Sequence, residues 1–523
     1  MNGSRNRIGE AALGALSVLA LAGCQSTAGP KLESQAEVQP VSTAGLWADA
    51  TAETIGATGE WTNKIELADL NGDGRVDILF ANGGNYREPG DPVPSRIFLN
   101  QGPGKPFREA TTEILGDAPM LVRVIKTADV DADGIVDIFV GATYQTQSRL
   151  LLGKGGGSFA DVTQTHLPAM PLSLGDVEFG DVDFDGDLDL VLADWGPGDP
   201  MKNEGGRTRL WLNDGAGKFT DATGERMPEV LVRFCWDLEF ADVDNDYDLD
   251  LMISSKLSDG SFLFENDGKG AFTDVTAGRM PQFTNNYEFE PLDLNGDGYV
   301  DTATINDGGE IEGQRGSHRE NIFLNDGKGG FLYSTPVSLP DSENLGYDDN
   351  RVVYLDYDSD GDADVLLGSL SGPDRLLIND GKGVFRVAID VVEGPETKGT
   401  LCIALADLNG DGKLDIVMAQ GEVEGFEDEK VFFGGNLPPD TAGPVITLAG
   451  KTGDGIIRAR IHDNKAPTRP FDFKEVAVVA SGKRVPMTWY GEHLWRARAP
   501  AEEGPHEVCA TDSAGNQACA GAD

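Results

Sequence analysis

Oxygen-bearing side chains recur at alternate positions in one short acidic phrase, and the phrase occurs seven times. It reads ADLNGDGRVDILF at Ala68–Phe80, ADVDADGIVDIFV at Ala128–Val140, GDVDFDGDLDLVL at Gly180–Leu192 and ADVDNDYDLDLMI at Ala241–Ile253. The other copies are LDLNGDGYVDTAT at Leu292–Thr304, LDYDSDGDADVLL at Leu355–Leu367 and ADLNGDGKLDIVM at Ala406–Met418. Positions 1, 3, 5 and 9, counted from the first carboxylate, are the candidate metal ligands. In the first three loops they are Asp69, Asn71, Asp73 and Asp77, then Asp129, Asp131, Asp133 and Asp137, then Asp181, Asp183, Asp185 and Asp189. In the fourth and fifth they are Asp242, Asp244, Asp246 and Asp250, then Asp293, Asn295, Asp297 and Asp301. In the last two they are Asp356, Asp358, Asp360 and Asp364, then Asp407, Asn409, Asp411 and Asp415. Position 7 adds a backbone carbonyl from Arg75, Ile135, Asp187, Asp248, Tyr299, Asp362 or Lys413. Calcium is a hard cation that takes about six to eight such oxygens. Up to seven structural calcium ions are therefore expected.

Glycine at position 6 supplies the left-handed bend of so tight a loop. Tyr247 replaces it in the fourth copy, which makes that site the weakest expectation. An EF-hand would need a glutamate at position 12. Here that position is Phe80, Val140, Leu192, Ile253, Thr304, Leu367 or Met418, so the loop runs into an apolar strand.

These loops need strands to hold them. After each of the first six comes a second signal, such as RLWLNDGAGKFTDAT at Arg209–Thr223 or RLLINDGKGVF at Arg375–Phe385. Asn-Asp-Gly between apolar runs marks a hairpin turn. The unit is strand, acidic loop, strand, connector, strand, turn, strand, which matches one propeller blade. The seventh unit stops at KVFFGGN, Lys430–Asn436, one strand short, and GLWADAT at Gly45–Thr51 supplies a strand that the first unit does not need. The expectation is an all-β chain: a seven-bladed β-propeller closed by its N-terminal strand, then a small sandwich. The units resemble the FG-GAP/VCBS repeats of integrin-α-like propellers, and this resemblance implies calcium in the loops and a scaffold for adhesion.

First-position aspartates recur at intervals of 60, 52, 61, 51, 63 and 51 residues. The excess lies at Asn82–Ser95, Asp194–Thr208 and Asn306–Glu320, between the second and third strands. In an antiparallel sheet these inserts share a face with the inter-blade crossovers, opposite the acidic loops. Trp61, Arg123, Trp236, Asn286, Tyr287 and Tyr347 lie in the crossovers and are the candidate ligand-face residues, expected to stand exposed for a glycan or protein. Three residues before each first Asp stand Glu66, Lys126, Glu178, Glu239, Glu290, Val353 and Ala404. They predict a water-filled acidic channel on the ring axis.

At the N-terminus, Arg5 and Arg7 precede a short apolar core, and Leu21-Ala22-Gly23-Cys24 resembles a bacterial lipobox. The resemblance implies a signal peptide over 1–23, lipidation of Cys24, and an outer-membrane lipoprotein of a Gram-negative bacterium, periplasmic or surface-exposed. Residues 24–44 read as a tether, 45–436 as the propeller, 437–443 as a linker and 444–523 as an Ig-like sandwich. The ATDSAGN turn resembles bacterial Ig-like domains. Cys509 and Cys519 flank that turn symmetrically, as a cross-strand disulfide would.

With 88 acidic and 42 basic side chains the chain carries a net charge of −46. That argues against nucleic acid, whose binders are basic. No nucleophile elbow, HExxH or phosphate loop is present. The leading expectation is a calcium-stabilised, lipid-anchored surface binding or adhesion protein whose partner is a glycan or an envelope protein and whose only membrane contact is its anchor. A lyase-like enzyme acting on polysaccharide and a structural envelope-assembly subunit are the alternatives.

Overall fold

The computed structural model describes residues 45–522 apart from 84–87, 259, 307, 309–318, 394–396, 398, 422–427 and 501–503. The predicted signal peptide, the tether and Cys24 lie outside these residues, as do parts of the first and third inserts.

Each acidic phrase ends one strand and opens the next. Thr62–Ala68 pairs antiparallel with Asp77–Asn82, which pairs with Arg96–Leu99 and then Arg108–Glu109. Every residue of Asp77–Asn82 is buried. Sheets stack on both of its faces, so the strand reads as a continuous apolar run rather than an alternating one. Among the described residues, seven sheets repeat this order. Their first strands are Thr62–Ala68, Val122–Ala128, Leu174–Gly180, Leu238–Ala241, Asn286–Leu292, Asp349–Leu355 and Thr400–Ala406. Each touches the next in sequence, and the last touches the first, so the sheets close into a ring.

The fourth strand of the seventh sheet is Trp47–Asp49, antiparallel to Lys430–Phe433 with Ala48 opposite Phe433, and the short strand Val392–Glu393 pairs parallel with it at the outer edge. Trp47 is fully buried, and its Nε1 donates to the Leu414 carbonyl at 2.9 Å. The joint thus removes two strand edges and anchors an indole.

A one-residue bulge recurs near the start of the first strand in six sheets. Asn63, Arg123 and Tyr287 are three of the extra residues. A bulge re-aims a side chain, and here it turns these groups into the ring.

The C-terminal part is a pair of four-stranded sheets. One holds Val445–Lys451, Ile456–His462, Leu494–Arg498 and Thr488–Gly491. The other holds Lys483–Pro486, Phe473–Ala480, His506–Asp512 and Gln517–Gly521. Ile457, Ile461, Val476, Val478, Trp495 and Val508 form their common core. Lys483–Pro486 and Thr488–Gly491 are almost continuous in sequence but belong to different sheets: at the buried Met487 the chain leaves one sheet for the other. Cys509 and Cys519 sit opposite each other in the last hairpin and are disulfide-bonded. Cys235 and Cys402 are buried free thiols.

This sandwich sits on the acidic-loop side of the ring. Its short strand Lys465–Ala466 pairs with the end of Asp349–Leu355, placing Ala466 opposite Tyr354.

Candidate metal centres and the opposite face

The first-position carboxylate organises each acidic loop. Asp69 Oδ1 accepts from the Gly72 and Asp73 amides at 2.8 and 3.1 Å, and its Oδ2 accepts from the Gly74 amide at 2.7 Å. The turn needs left-handed backbone twice, at positions 4 and 6. Gly72 and Gly74 have φ of 74° and 79°. Tyr247 takes the same conformation at φ 73°, so the fourth loop keeps its shape without glycine. A contact supports it there: the Tyr490 hydroxyl, from the sandwich, donates to the Tyr247 carbonyl at 2.8 Å.

Position 9 fastens the loop to the sheet. In all seven loops its Oδ2 accepts the position-2 amide and its Oδ1 accepts an amide of the hairpin that follows, at 2.7–3.2 Å. Burial pushes these carboxyls up, to about 7 at Asp77, Asp137 and Asp415, about 8 at Asp189 and Asp301, and about 9 at Asp364. Asp250 is raised well above the ordinary range for the same reason.

The donor set suits a hard cation. Asn71 Oδ1, Asp131 Oδ1, Asp183 Oδ1 and Asp244 Oδ1, all at position 3, are buried without a hydrogen-bond partner. Carboxylate oxygens of Asp129, Asp131 and Asp137 lie within 4.8 Å of one another, as do those of Asp181, Asp183 and Asp189. The trios Asp242, Asp244 and Asp246, and Asp356, Asp358 and Asp360, are equally tight. In the fourth loop, burial and then the surrounding carboxylates push Asp248 up to about 10. Orphaned buried oxygens and crowded like charges are what a divalent ion relieves.

Two of these loops also meet arginines from the sandwich. Arg496 pairs with Asp181, and Arg460 Nη2 lies 2.9 Å from Asp242 Oδ2.

Sequence reasoning read the Asn of the NDG hairpins as turn chemistry alone. Its side chain also joins neighbouring sheets. Asn213, Asn266, Asn325 and Asn379 Nδ2 donate to the carbonyls of Val130, Val182, Val243 and Leu294 in the preceding sheet, at 2.8–3.0 Å. Asn100 does the same across the ring closure, to Leu408 at 2.7 Å. In the second and seventh sheets this place is held by Gly153 and Gly434. Recurrence of Asn at one hairpin position was the available signal.

The expected acidity of the axial channel is offset by the protein's own cations. Lys126 pairs with Glu178, and Arg351 Nη2 lies 3.8 Å from Glu290. Arg469, from the sandwich, lines the same small cavity of about 60 Å³ as Glu66, Glu178 and Glu239. Uncompensated charge so far from water is costly. Glu239 and Glu290, raised by burial and by neighbouring glutamates, lie well above the ordinary carboxyl range.

The expectation of exposed aromatics on the opposite face also fails. Arg123, Trp236 and Tyr287 are only 2, 6 and 4 % exposed, and Asn286 is fully buried. The Arg123 guanidinium lies 4.0 Å from the Trp236 ring centre and 5.3 Å from Trp195, while Trp236 meets Tyr287 edge-on at 5.2 Å. Arg123 Nη1 also donates to Asn63 Oδ1 at 2.5 Å, as Trp61 Nε1 does at 3.1 Å. Tyr347 packs beside Arg375, at 5.4 Å. Arg123, Trp236 and Tyr287 thus pack on one another and on Trp195, with the guanidinium stacked on indole faces, and are taken up inside the protein. Trp61 and Tyr347 are half-buried.

The inserts and crossovers do share that side. Val93 bridges to Met120, Thr146 to Leu172 and Gly206 to Val232. Between the third and fourth sheets lies an open recess of about 360 Å³, lined by Glu204, Leu231, Arg233, Leu257 and Gln282 among others. Leu231 is 52 % exposed.

A ring of four-stranded sheets with acidic loops at one end defines a β-propeller class, and the chain's repeats are FG-GAP-like: that family profile matches residues 69–140, 129–192 and 356–418. Cartilage acidic protein 1 of Mus musculus and of Homo sapiens are each 23 % identical to the chain over 386 residues. The match covers 68 % of this chain and 48 and 47 % of those proteins, so the chain spans about half the length of these relatives. Among solved structures, an Agrocybe aegerita lectin that recognises non-reducing terminal N-acetylglucosamine is similar at TM-score 0.37 and 19 % identity, over 64 % of this chain and 81 % of that one. The V. cholerae biofilm matrix protein Bap1 is similar at TM-score 0.42 and 14 % identity, over 88 % of this chain and 98 % of that one.

Proposed function

We propose that this chain is a calcium-stabilised surface binding protein. In this reading the ring is a seven-bladed propeller whose acidic loops hold structural calcium, and the C-terminal sheets are an Ig-like domain. Cys24 carries a lipid that anchors the protein at the outer membrane. The partner is a glycan or an envelope protein, held on the insert side.

The observation that carries the proposal is the division of labour between the two sides. The loop side carries the acidic clusters and the sandwich, which lines a recess of about 480 Å³ against the first three loops, whereas the insert side keeps a recess free of the sandwich, with a guanidinium, a carboxylate, an amide and an exposed leucine. A recess of that size whose lining mixes polar groups with leucine and phenylalanine side chains suits a sugar or a small peptide epitope. Binding groups on loops held by a rigid scaffold also fit the repeat class.

The test is a glycan and cell-surface screen of the mature chain in calcium, followed by Arg233→Ala and Gln282→Ala. A ligand whose binding falls at least tenfold in either variant, with melting unchanged, supports the recess. A ligand indifferent to both substitutions moves the site elsewhere, and a screen without any ligand rejects the binding reading.

A further inference from the structure

Three acidic loops, the third, fourth and sixth, have five carboxylates each, with aspartate at position 7 as well as at 1, 3, 5 and 9; the second has four, and the first, fifth and seventh have three each. Two of the three, the third and fourth, meet the sandwich arginines. Arg496 holds Asp181, whose other oxygen stays buried and unpartnered toward Asp183 and Asp189. Arg460 Nη2 lies 2.9 Å from Asp242 Oδ2 and donates to the Asp242 carbonyl and to Asn245 Oδ1, both at 2.7 Å. With five carboxylates, a divalent ion and a guanidinium together leave a loop at a charge of −2, so neither cation has to expel the other.

Most of the remaining docking bonds reach loop backbone. The Asp181 amide donates to the Tyr490 carbonyl at 2.8 Å, and the Asp356 amide donates to the Asn464 carbonyl at 2.9 Å. The Tyr490 hydroxyl reaches the Tyr247 carbonyl. Such atoms stay in place only while the loop keeps its turn, and carboxyl groups crowded together with no ion between them oppose that turn.

We propose that the C-terminal sandwich is a cation-dependent cover. A metal ion in the third and fourth loops fixes the backbone onto which the sandwich docks, and its first-position carboxylate joins metal to arginine. Loss of the ion frees the sandwich, uncovers the loop side and withdraws Arg469 from the axial glutamates. This rests on the calcium reading of the loops, and by linkage docking strengthens the hold on calcium as much as calcium strengthens docking.

The experiment uses the whole mature chain. Calcium stoichiometry is measured by titration calorimetry, and docking by hydrogen exchange at the Asp356 amide together with small-angle scattering. In saturating calcium the double variant Arg460→Gln/Arg496→Gln is expected to keep its ring fold, expose the Asp356 amide to exchange at least roughly tenfold faster and lengthen the particle. Those two charged contacts together supply that factor. Chelation of the unsubstituted chain should give the same lengthening. Bound calcium with scattering and exchange unchanged on chelation refutes the cover and leaves the calcium reading intact. The double variant docked as firmly as the parent in calcium also refutes the cover. A chain that binds no calcium overturns both.

Discussion

Asn325 offers the sharpest test of how the ring is held. It is 6 % exposed. Its Nδ2 donates to Val243 O at 2.8 Å, in the neighbouring sheet, and to Val300 O at 3.1 Å, while its Oδ1 accepts from Gly327 N at 2.9 Å. Asn325→Ala removes all three bonds and leaves two buried carbonyls without this donor. At about 0.5–1.5 kcal/mol for each net bond, the loss comes to about 1.5–4.5 kcal/mol. Asn325→Asp keeps the size and the acceptor but sets a carboxylate oxygen against both carbonyls, so it should cost more than alanine. Urea unfolding followed by tryptophan fluorescence, at fixed free calcium, reads both values. Asn266 makes equivalent bonds to Val182 O and Leu249 O at 2.9 and 3.3 Å and serves as an internal replicate. An alanine variant within about 0.5 kcal/mol of the parent, or an aspartate variant no worse than alanine, would show that the hairpin Asn is a turn residue and no more.

Without metal, the position-9 carboxyls should set the pH response. Their folded values, about 7 to 9, lie above the ordinary carboxyl value, so their contribution is complete below about pH 4 and is lost as pH rises through that range. The calcium-free melting temperature should therefore fall between pH 6 and 9, and calcium should remove the fall; a calcium-free melt that climbs across that interval contradicts the burial argument. Reduction of Cys509–Cys519 should destabilise the sandwich by on the order of 2–3 kcal/mol, visible as faster exchange in His506–Gly521 with the ring unaffected.

The acidic phrase was readable because its chemistry is local. Aspartates at alternate positions, glycine at position 6 and an apolar run after position 9 define the loop without reference to the rest of the chain. The pairing of Trp47–Asp49 with the last sheet was readable as well, because Lys430–Phe433 lacked a partner that only the N-terminus could supply. What escaped notice depends on distant pairs. Tyr247 seemed a defect in its own loop, and its support comes from Tyr490, 243 residues away. Arg123, Trp236 and Tyr287 have the composition of a binding surface, and only the bulges and crossovers that turn them inward reveal packing. Arg460 and Arg496 lie on strands whose alternation says nothing about which loop they face.

The hairpin asparagines have a mechanical consequence. Four of them bolt the second sheet through to the sixth into one arc, and Asn100 bolts the seventh to the first as a second arc. At the two joints between the arcs the bolt is missing, and geometry keeps it out: a Cβ on Gly153 would stand 2.5 Å from the Val136 carbonyl, and one on Gly434 2.2 Å from that of Leu414. Pulled or heated, the ring has two scored lines along which to part. One fragment would be five sheets long; the other would be the two sheets that carry both ends of the repeat array.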